Sequence, residues 1–338
     1  MANTPDIHPP SSILHPRPIF IAGPTAVGKS EVALRLAEQL GGEIISADSM
    51  QVYRGLDIGT AKPSPAERAR VPHHLIDICD LTEAFDAAQF IRLAQSAVTE
   101  IQARGHVPVF CGGTGLYFKA FLSGLGEAPA TNPELRAELE AAPFEALLHE
   151  LRERDPVAYE QIDKQNPRRV IRAVEVIRLT GKPFSAQRAR WGETRWGETP
   201  SSLNPKTEAK KSGLDGASPH QLYCLTRASA DMHARINARV DTMFTRGLVE
   251  ETRALLQHGL AENKTAMQAI GYRQVVEYLR DQRPLPETIE LVKSRTRQFA
   301  KRQLTWFRRH GNMEWIELKP GDSLETAAEN LRRNLDAA

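Results

Sequence analysis

The chain has 338 residues, with 44 Lys and Arg against 42 Asp and Glu (formal net charge +2) and 41% hydrophobic residues. This length favours about two domains with buried cores, and the composition excludes collagen and a disulfide-stapled scaffold. No apolar stretch approaches the roughly 18 residues that a membrane helix needs, so a membrane protein is excluded as well.

The N-terminal segment is rich in proline and contains no apolar core. We therefore expect a disordered arm over residues 1–17 rather than a signal peptide. The three cysteines (Cys79, Cys111 and Cys224) are widely spaced and odd in number. This pattern predicts free thiols and a location in the reducing cytoplasm.

The charges are distributed unevenly along the chain. Residues 1–150 carry 11 Lys and Arg against 18 Asp and Glu, whereas the remainder is basic. Residues 161–190 hold eight basic side chains and two acids, and residues 291–310 hold seven basic side chains and no acid. Such a localised surplus fits a polyanionic partner, but it also fits long helices with a solvated basic face, and charge alone leaves both open.

Strands and helices alternate over the first third of the chain. Short apolar runs predict strands at 18–23, 43–49 and 106–113, and apolar spacings of three and four predict helices at 29–40 and 85–104. Further strands are predicted at 221–227 and, as a late edge strand, at 312–318. The alternation predicts an α/β fold, in which a central parallel sheet is flanked by helices.

The pattern changes beyond about residue 124, where only helical periodicity is found. It is interrupted at Pro143, Pro156 and Pro167. Residues 190–199 then repeat RWGET in tandem within a polar segment that cannot bury a core. The predicted organisation is a phosphate-loop catalytic core with basic C-terminal helices over 18–123 and 219–338, an all-helical insertion domain over 124–190, and a flexible low-complexity loop over 191–218.

A long basic helix is predicted to begin at Pro286 and to run to about residue 310. Its basic side chains are interleaved with aromatic ones, which fits a nucleic-acid surface as well as a solvated face. The apolar spacing predicts an inward stripe of Ile289, Val292, Thr296, Phe299, Gln303 and Trp306.

The segment GPTAVGKS matches the phosphate-binding loop pattern in full, between a predicted strand and an amphipathic helix. Its backbone amides and the helix N-terminus would hold a di- or triphosphate, such as that of a nucleotide like ATP. Lys29 supplies a full positive charge, and the Ser30 hydroxyl is a natural ligand for phosphate-bound Mg²⁺. The predicted diphosphate-binding residues are Gly23, Pro24, Thr25, Ala26, Val27, Gly28, Lys29 and Ser30.

Two polar residues follow the second and third predicted strands. Asp48 should face the phosphate loop, because ligands of such sheets bind at the C-terminal ends of the strands. A carboxylate there can accept a proton, although an aspartate that caps a turn would look the same in sequence. Thr114 follows Gly112 and Gly113, which would allow a ligand to approach closely; its hydroxyl could orient that ligand or cap a helix. Lys62 lies in a loop that we expect near the same crevice and mobile.

Two weaker signals bear on the class of enzyme. The third strand ends without the aspartate that holds Mg²⁺ in many nucleotide hydrolases, which disfavours an ATPase motor. The pair His73 and His74 has no second pair at zinc spacing, so we favour packing or capping over metal ligation.

The order of motifs resembles the tRNA dimethylallyltransferase (tRNA isopentenyltransferase) family. The resemblance extends over residues 18–318, and the block ADSMQVYRGLDIGTAKP is highly specific to the family. The sequence has no C-terminal Cys/His zinc finger of the eukaryotic members, so it resembles the bacterial type. Other matching blocks are PHHLID, CGGTGLYFKA, NPRRVIRAVEV, AIGYRQ and KRQLTWFRR.

The resemblance implies transfer of a dimethylallyl group from dimethylallyl diphosphate to the N6 amine of the adenosine 3′ to the tRNA anticodon, with Mg²⁺ as cofactor. It implies catalytic roles for Asp48, Thr114 and Lys29, and it implies that Ser30 is a ligand of the metal. We further expect a monomer that binds the tRNA anticodon stem-loop and no membrane. The implied tRNA-binding residues are Asp48, Ser49, Met50, Gln51, Thr114, Arg136, Arg168, Arg169, Arg172, Gln268, Gly271, Tyr272, Arg273, Lys301, Arg302, Gln303 and Arg308.

Three other functions remain open at the level of sequence. A small-molecule kinase would place ATP in the loop and use Asp48 to activate a hydroxyl group. An adenylate isopentenyltransferase would act on free nucleotides and would not need the basic surfaces. A nucleic-acid-binding module with a vestigial phosphate loop is disfavoured, because Lys29 and Ser30 are both intact.

Overall fold

The computed structural model describes residues 16–187, 221–309 and 313–336. The predicted low-complexity loop and all but the last two residues of the predicted arm lie outside these ranges. The described residues form two compact units, one up to Phe118 together with those from 221 onward, and one from Lys119 to 187. In the ranges described, no helix is long and apolar enough to cross a membrane. Cys79, Cys111 and Cys224 are buried free thiols, whereas a cytoplasmic location stays a prediction.

A six-stranded sheet with the order β3-β2-β4-β1-β5-β6 forms the centre of the first unit. All its pairings are parallel, which confirms the predicted fold class. β1 and β4 are mainly apolar, as expected for strands of a sheet that helices cover on both faces, whereas β2 also contains the buried Glu43 and Ser46. The strands are β1 Ile19–Ala22, β2 Gly42–Ala47, β3 His73–His74, β4 Val107–Gly112, β5 Gln221–Thr226 and β6 Glu314–Glu317.

The helices follow the predicted alternation, with further short elements between them. Two 3₁₀ turns lie at Ser185–Gln187 and Ala266–Gln268. The helices are α1 Lys29–Leu40, α2 Pro65–Arg70, α3 Ala87–Ala103, α4 Gly115–Ser123, α5 Pro133–Ala141, α6 Phe144–Arg154, α7 Pro156–Gln161, α8 Pro167–Thr180, α9 Ser229–Thr245, α10 Leu248–Leu256, α11 Tyr272–Leu279, α12 Leu285–Arg309 and α13 Leu324–Asp336.

The core of the first unit lies between the sheet and its helices. Ile21 of β1 and Val109 of β4 are fully buried against Leu36 of α1 and Ile236 of α9. Because the strands are parallel, the chain leaves β1, β2 and β4 at the same edge of the sheet. The phosphate loop, Asp48 and Thr114 follow these three strands and are therefore brought together.

The predicted histidine pair, His73 and His74, forms the edge strand β3, and both side chains make hydrogen bonds within the protein. His74 Nε2 lies 2.7 Å from Glu43 Oε2, and the same carboxylate binds Arg104 and His106. Burial alone would raise the pKa of Glu43, but these hydrogen bonds outweigh burial and lower the pKa to about 2. Within the described ranges, no group of three or more His, Cys, Asp or Glu side chains could hold a metal.

The second unit consists of α5 to α8 around its own core, which includes Leu151 and Val174. Three of its helices begin at or directly after the predicted breaks at Pro143, Pro156 and Pro167, whereas α5 begins at Pro133, which was not among them. Pro156 and Pro167 occupy the first turns of α7 and α8, where the missing N–H costs nothing, and Asp155 and Asn166 cap these helices. The division into units falls within α4, at Phe118, a few residues before the boundary predicted at 124.

Candidate active site

A cavity of about 380 Å³ lies at the edge of the sheet where β1, β2 and β4 end. Its volume falls in the range of small-molecule sites. The cavity brings together predicted residues from separate parts of the sequence. They are Thr25, Lys29 and Ser30 of the phosphate loop, Asp48 to Gln51, Thr114, Gln268, Arg302 and Gln303.

Two arginines of the core fix the path of the phosphate loop. Arg227 Nε donates to the carbonyl of Val27 at 2.8 Å, and Arg235 Nε donates to the carbonyl of Ala26 at 2.9 Å. Ala26 has a left-handed backbone (φ 64°), which is unusual for a residue with a side chain. The two arginines therefore hold a conformation that the loop would not favour by itself.

Gln303 of α12 joins the loop to the end of β4. Its side-chain oxygen accepts from Thr25 N at 2.9 Å, and its Nε2 donates to the carbonyl of Gly113 at 2.9 Å. Gln303 is only 8% exposed, and both atoms of its amide are used. Its predicted role in tRNA binding is therefore replaced, in this structure, by a role in positioning the phosphate loop.

The glycines before Thr114 make room for protein atoms, and Gly112 also lines the cavity. A Cβ on Gly112 would lie 2.1 Å from the carbonyl oxygen of Ala47, and one on Gly113 would lie 2.3 Å from Gln303 Nε2. The sequence suggested that these glycines admit a ligand, but it could not show that a neighbouring strand and α12 approach so closely.

Asp48 both lines the cavity and shapes the turn after β2. Its Oδ1 accepts from Met50 N at 2.8 Å and from Gln51 N at 3.4 Å. Thr114 Oγ1 accepts from Ser49 N at 3.2 Å, which holds the two strand ends together. The turn-capping alternative for Asp48 is thus correct without excluding the chemical one, because Asp48 also lines the cavity.

Among the described residues, the cavity is lined by three Lys or Arg side chains, Lys29, Arg239 and Arg302, and by one carboxylate, Asp48. Burial is the main cause that lowers the pKa of both Lys29 and Arg239, and the charge of Asp48 opposes the shift in each. Cations whose hydration has been removed gain from an anion that enters the same space. The cavity is therefore suited to a ligand with negative charge at the phosphate-loop end.

Sequence reasoning missed Arg239. It lies on α9, one helical turn after Arg235, beside the buried stripe formed by Met232, Ile236 and Val240. Its Nη2 donates to the carbonyl of Thr60 at 3.4 Å. Two arginines four residues apart beside an apolar stripe were the available signal, because a helix places such residues on one edge of its buried face.

Lys62 does not belong to the cavity wall. Its side chain is 2% exposed and binds the carboxylates of Asp57 and Asp77 at 2.6 and 2.5 Å. Its Nζ also donates to the carbonyl of Tyr53 at 2.8 Å. The loop that carries Lys62 does lie beside the crevice, because Ala61 and Pro63 line the cavity, but these partners hold the Lys62 charge inside the loop. The expected mobility of the loop stays a prediction.

The predicted tRNA-binding residues separate into three groups. Exposed side chains include Arg273, Lys301, Arg302 and Arg308, as well as Arg168 and Arg169 of the second unit. Gly271 and Tyr272 are buried, Tyr272 completely, so neither offers a side-chain contact to an RNA. Arg136 and Arg172 bind the buried carboxylate of Glu175 in the second unit at 3.5 and 2.8 Å.

The donors near Lys29 fit a magnesium ion that arrives with phosphate. Ser30 lines the cavity and provides one hydroxyl oxygen. Magnesium sites of this kind use one or two protein ligands, and phosphate oxygens and water complete the shell. This small donor set fits Mg²⁺ on a diphosphate and does not fit a site made of protein ligands alone.

Comparison with known proteins decides the family. Residues 51–310 match the IPP transferase family. The chain belongs to this family. It is 44% identical to a tRNA dimethylallyltransferase of Geobacter sulfurreducens over 92% of this chain and 95% of the relative. It is 45% identical to one of Halorhodospira halophila, over 91% of this chain and 94% of the relative.

Solved structures agree with this membership. A tRNA isopentenylpyrophosphate transferase from Bacillus halodurans has a TM-score of 0.65 and 37% identity, over 95% of this chain and 96% of that chain. A eukaryotic dimethylallyltransferase acting on tRNA has a TM-score of 0.73 and 25% identity, over 95% of this chain and 78% of that chain. The resemblance drawn from the motifs is confirmed, and so is the enzyme class: a prenyl transferase, not a small-molecule kinase.

Proposed function

We propose that this chain transfers the dimethylallyl group of dimethylallyl diphosphate to the N6 amine of the adenosine 3′ to the anticodon in tRNA. The products are N6-isopentenyladenosine and diphosphate. The observation that carries the proposal is the sharing of one cavity by Lys29, Arg239 and Asp48, because the reaction needs cations for a leaving diphosphate and an acceptor for a proton.

At the donor end, the bond between the allylic carbon and the diphosphate oxygen breaks, and its electron pair goes to that oxygen. The phosphate loop binds the diphosphate through its backbone, and Lys29 and Arg239 face the charge that develops. Burial lowers the pKa of both cations, so each is stabilised when negative charge develops beside it.

At the acceptor end, the N6 amine forms the new bond to carbon and loses one proton. The amine is a poor nucleophile because its lone pair is delocalised into the purine ring. Asp48 is the carboxylate of the cavity and takes this proton. Thr114, whose hydroxyl is bonded to Ser49 N, lies beside it and orients the amine.

Mg²⁺ is part of the proposal. Ser30 would hold it through its hydroxyl, together with oxygens of the diphosphate, and the bound ion would add positive charge against the leaving group. This part of the proposal is supported by the donor set near Lys29.

The acceptor adenosine must leave the stack of the anticodon loop to reach Asp48. Exposed basic residues of α12, among them Lys301, Arg302 and Arg308, would hold the anticodon stem-loop through its phosphates. Arg302 and Gln268 line the cavity itself and would lie next to the extruded base. We propose that one chain is sufficient for this reaction.

The test combines the protein and Mg²⁺ with labelled dimethylallyl diphosphate and unmodified tRNA. Parallel reactions offer adenosine monophosphate in place of tRNA, and ATP with small hydroxyl acceptors in place of the allyl donor. We expect label in tRNA, and none in a tRNA that carries guanosine at the acceptor position. Faster labelling of free adenosine monophosphate, or transfer of phosphate from ATP, would overturn the proposal.

A further inference from the structure

Residues 57–62 form a loop that two residues of distant helices hold from outside. Both carboxylate oxygens of Glu251 accept from Ile58 N at 3.0 Å. The hydroxyl of Tyr272 accepts from Gly59 N at 3.0 Å and donates to Glu251 Oε1 at 2.5 Å. Two consecutive loop amides therefore end on one Tyr–Glu pair, which we call the Glu251–Tyr272 clamp.

The close approach of Tyr272 to the loop depends on the glycine at position 59. A Cβ on Gly59 would lie 2.4 Å from the ring of Tyr272, so only glycine allows the ring to reach the loop backbone. Tyr272 is completely buried. Burial, and after it the Glu251 carboxylate, raises the pKa of Tyr272, so its hydroxyl stays protonated and able to donate.

The same loop forms a wall of the cavity on its inner side. Gly59, Thr60 and Ala61 line the cavity. The carbonyl of Thr60 accepts from Arg239 Nη2 at 3.4 Å and from Gln51 Nε2 at 3.3 Å. The loop thus contacts the clamp on one side. On the other side it contacts Arg239 and Gln51, which line the cavity.

The loop also contains a strained residue that needs such support. Ala61 has a left-handed backbone, with φ 46°. A conformation of this kind is unfavourable for a residue with a side chain and persists where surrounding contacts over-determine it. The clamp bonds and the Gln51 contacts at 3.3 and 3.4 Å to Thr60 and Ala61 provide these contacts.

We propose that Glu251 and Tyr272 are positioning residues, which fix the loop 57–62 and thereby hold Arg239 and Gln51 where the donor diphosphate and the acceptor base react. Neither residue lines the cavity, and Tyr272 binds the loop rather than tRNA. The inference rests on the proposed function, because it assigns the clamp to the geometry of that reaction.

Kinetics of Tyr272→Phe and Glu251→Gln provide the first test. Tyr272→Phe keeps the ring and loses both hydroxyl bonds. We expect kcat/KM for dimethylallyl diphosphate to fall about ten-fold or more, because small misplacements of a positioned group have large effects. The dissociation constant for tRNA, measured by direct titration without the donor, should change less than two-fold. Matched controls on the same helices are Tyr278→Phe and Glu250→Gln, which should behave like the unaltered protein.

Hydrogen exchange provides a second readout that does not depend on activity. The Ile58 and Gly59 amides should exchange at least ten-fold faster in Tyr272→Phe than in the unaltered protein or in Tyr278→Phe. Unchanged exchange together with unchanged kcat/KM would overturn the inference, and so would a loss of tRNA affinity equal to the loss in kcat/KM. If the unaltered protein transferred no allyl group, the proposed function would fail, whereas exchange would still report on the clamp.

Discussion

At the phosphate-loop end of the cavity, the two cations Lys29 and Arg239 outnumber the single carboxylate of Asp48. Burial lowers the pKa of both cations, and the carboxylate partly restores it. An entering diphosphate brings further negative charge to Lys29 and Arg239, and it also repels Asp48. The charged residues therefore have separate roles. The cations favour donor binding, whereas the carboxylate lowers the affinity for the donor and contributes to the chemical step.

Replacement of Asp48 by asparagine tests this separation. Asparagine keeps the oxygen that accepts from Met50 N and Gln51 N, so the turn after β2 should survive. We expect the single-turnover rate of allyl transfer to fall by about 10²-fold or more, since the proton acceptor is lost. The dissociation constant for dimethylallyl diphosphate, measured by titration, should stay equal or decrease.

Asp80→Asn is a suitable control, because Asp80 is an exposed partner of Arg54. A transfer rate within about three-fold of the unaltered protein would remove Asp48 from the role of base. A large increase in the donor dissociation constant would show instead that Asp48 shapes the binding site.

The sequence alone identified the site residues that belong to a local motif. Lys29 and Ser30 belong to an unbroken pattern, and Asp48 and Thr114 follow recognisable strands. Arg239 and Glu251 carry no such local signal, because each acts on a loop almost 180 positions or more away along the chain. Tyr272 lies in a family motif, but the motif does not reveal that its ring faces the protein interior.

Among the elements, α12 has two functions that its sequence pattern only partly separates. The predicted inward stripe is correct for Val292 and Gln303, which are buried. It is wrong for Phe299, which is 37% exposed and lines the cavity. Helical spacing identifies a face, but it cannot distinguish a face that packs on the sheet from one that borders a cavity.

Gln303→Leu tests the link that α12 makes between the phosphate loop and β4. Leucine has a similar volume but leaves the Gly113 carbonyl and the Thr25 amide without their partner. We expect the free energy of unfolding to fall by about 1–3 kcal/mol, the cost of an unsatisfied buried polar group, as measured in urea. The KM for the donor should rise, because the phosphate loop loses the hydrogen bond between Thr25 N and Gln303.

The control lies on the same helix. Gln298→Leu removes an exposed amide whose oxygen accepts from Arg295 Nη1 at 3.4 Å, and it should change the free energy of unfolding by less than about 0.5 kcal/mol. If Gln303→Leu instead weakened tRNA binding and left stability and donor KM unchanged, the side chain would act on the RNA, as the family resemblance implied.

For the whole molecule, the distribution of charge matters more than its sum. The net charge is only +2, yet the segment 291–310 contains no acid. Part of the basic surplus is used inside the protein: Arg136 and Arg172 bind Glu175, and Arg297 donates to Asn237. Counting charges in the sequence therefore overstates the surface available for a polyanion, and the exposed residues of α12 are the stronger candidates.

Arg302→Ala and Arg308→Ala test this surface. Both side chains are exposed on α12, and each is expected to contact one phosphate of tRNA. Loss of one such contact should weaken tRNA binding and reduce the slope of log K against log salt by about one. Arg253→Ala, an exposed arginine on α10, removes the same charge elsewhere and should leave the slope unchanged. Titrations of tRNA at several salt concentrations measure this slope directly. If the slope of both α12 variants equalled that of Arg253→Ala, this face of α12 would be a solvated helix surface, and the tRNA backbone would have to bind elsewhere.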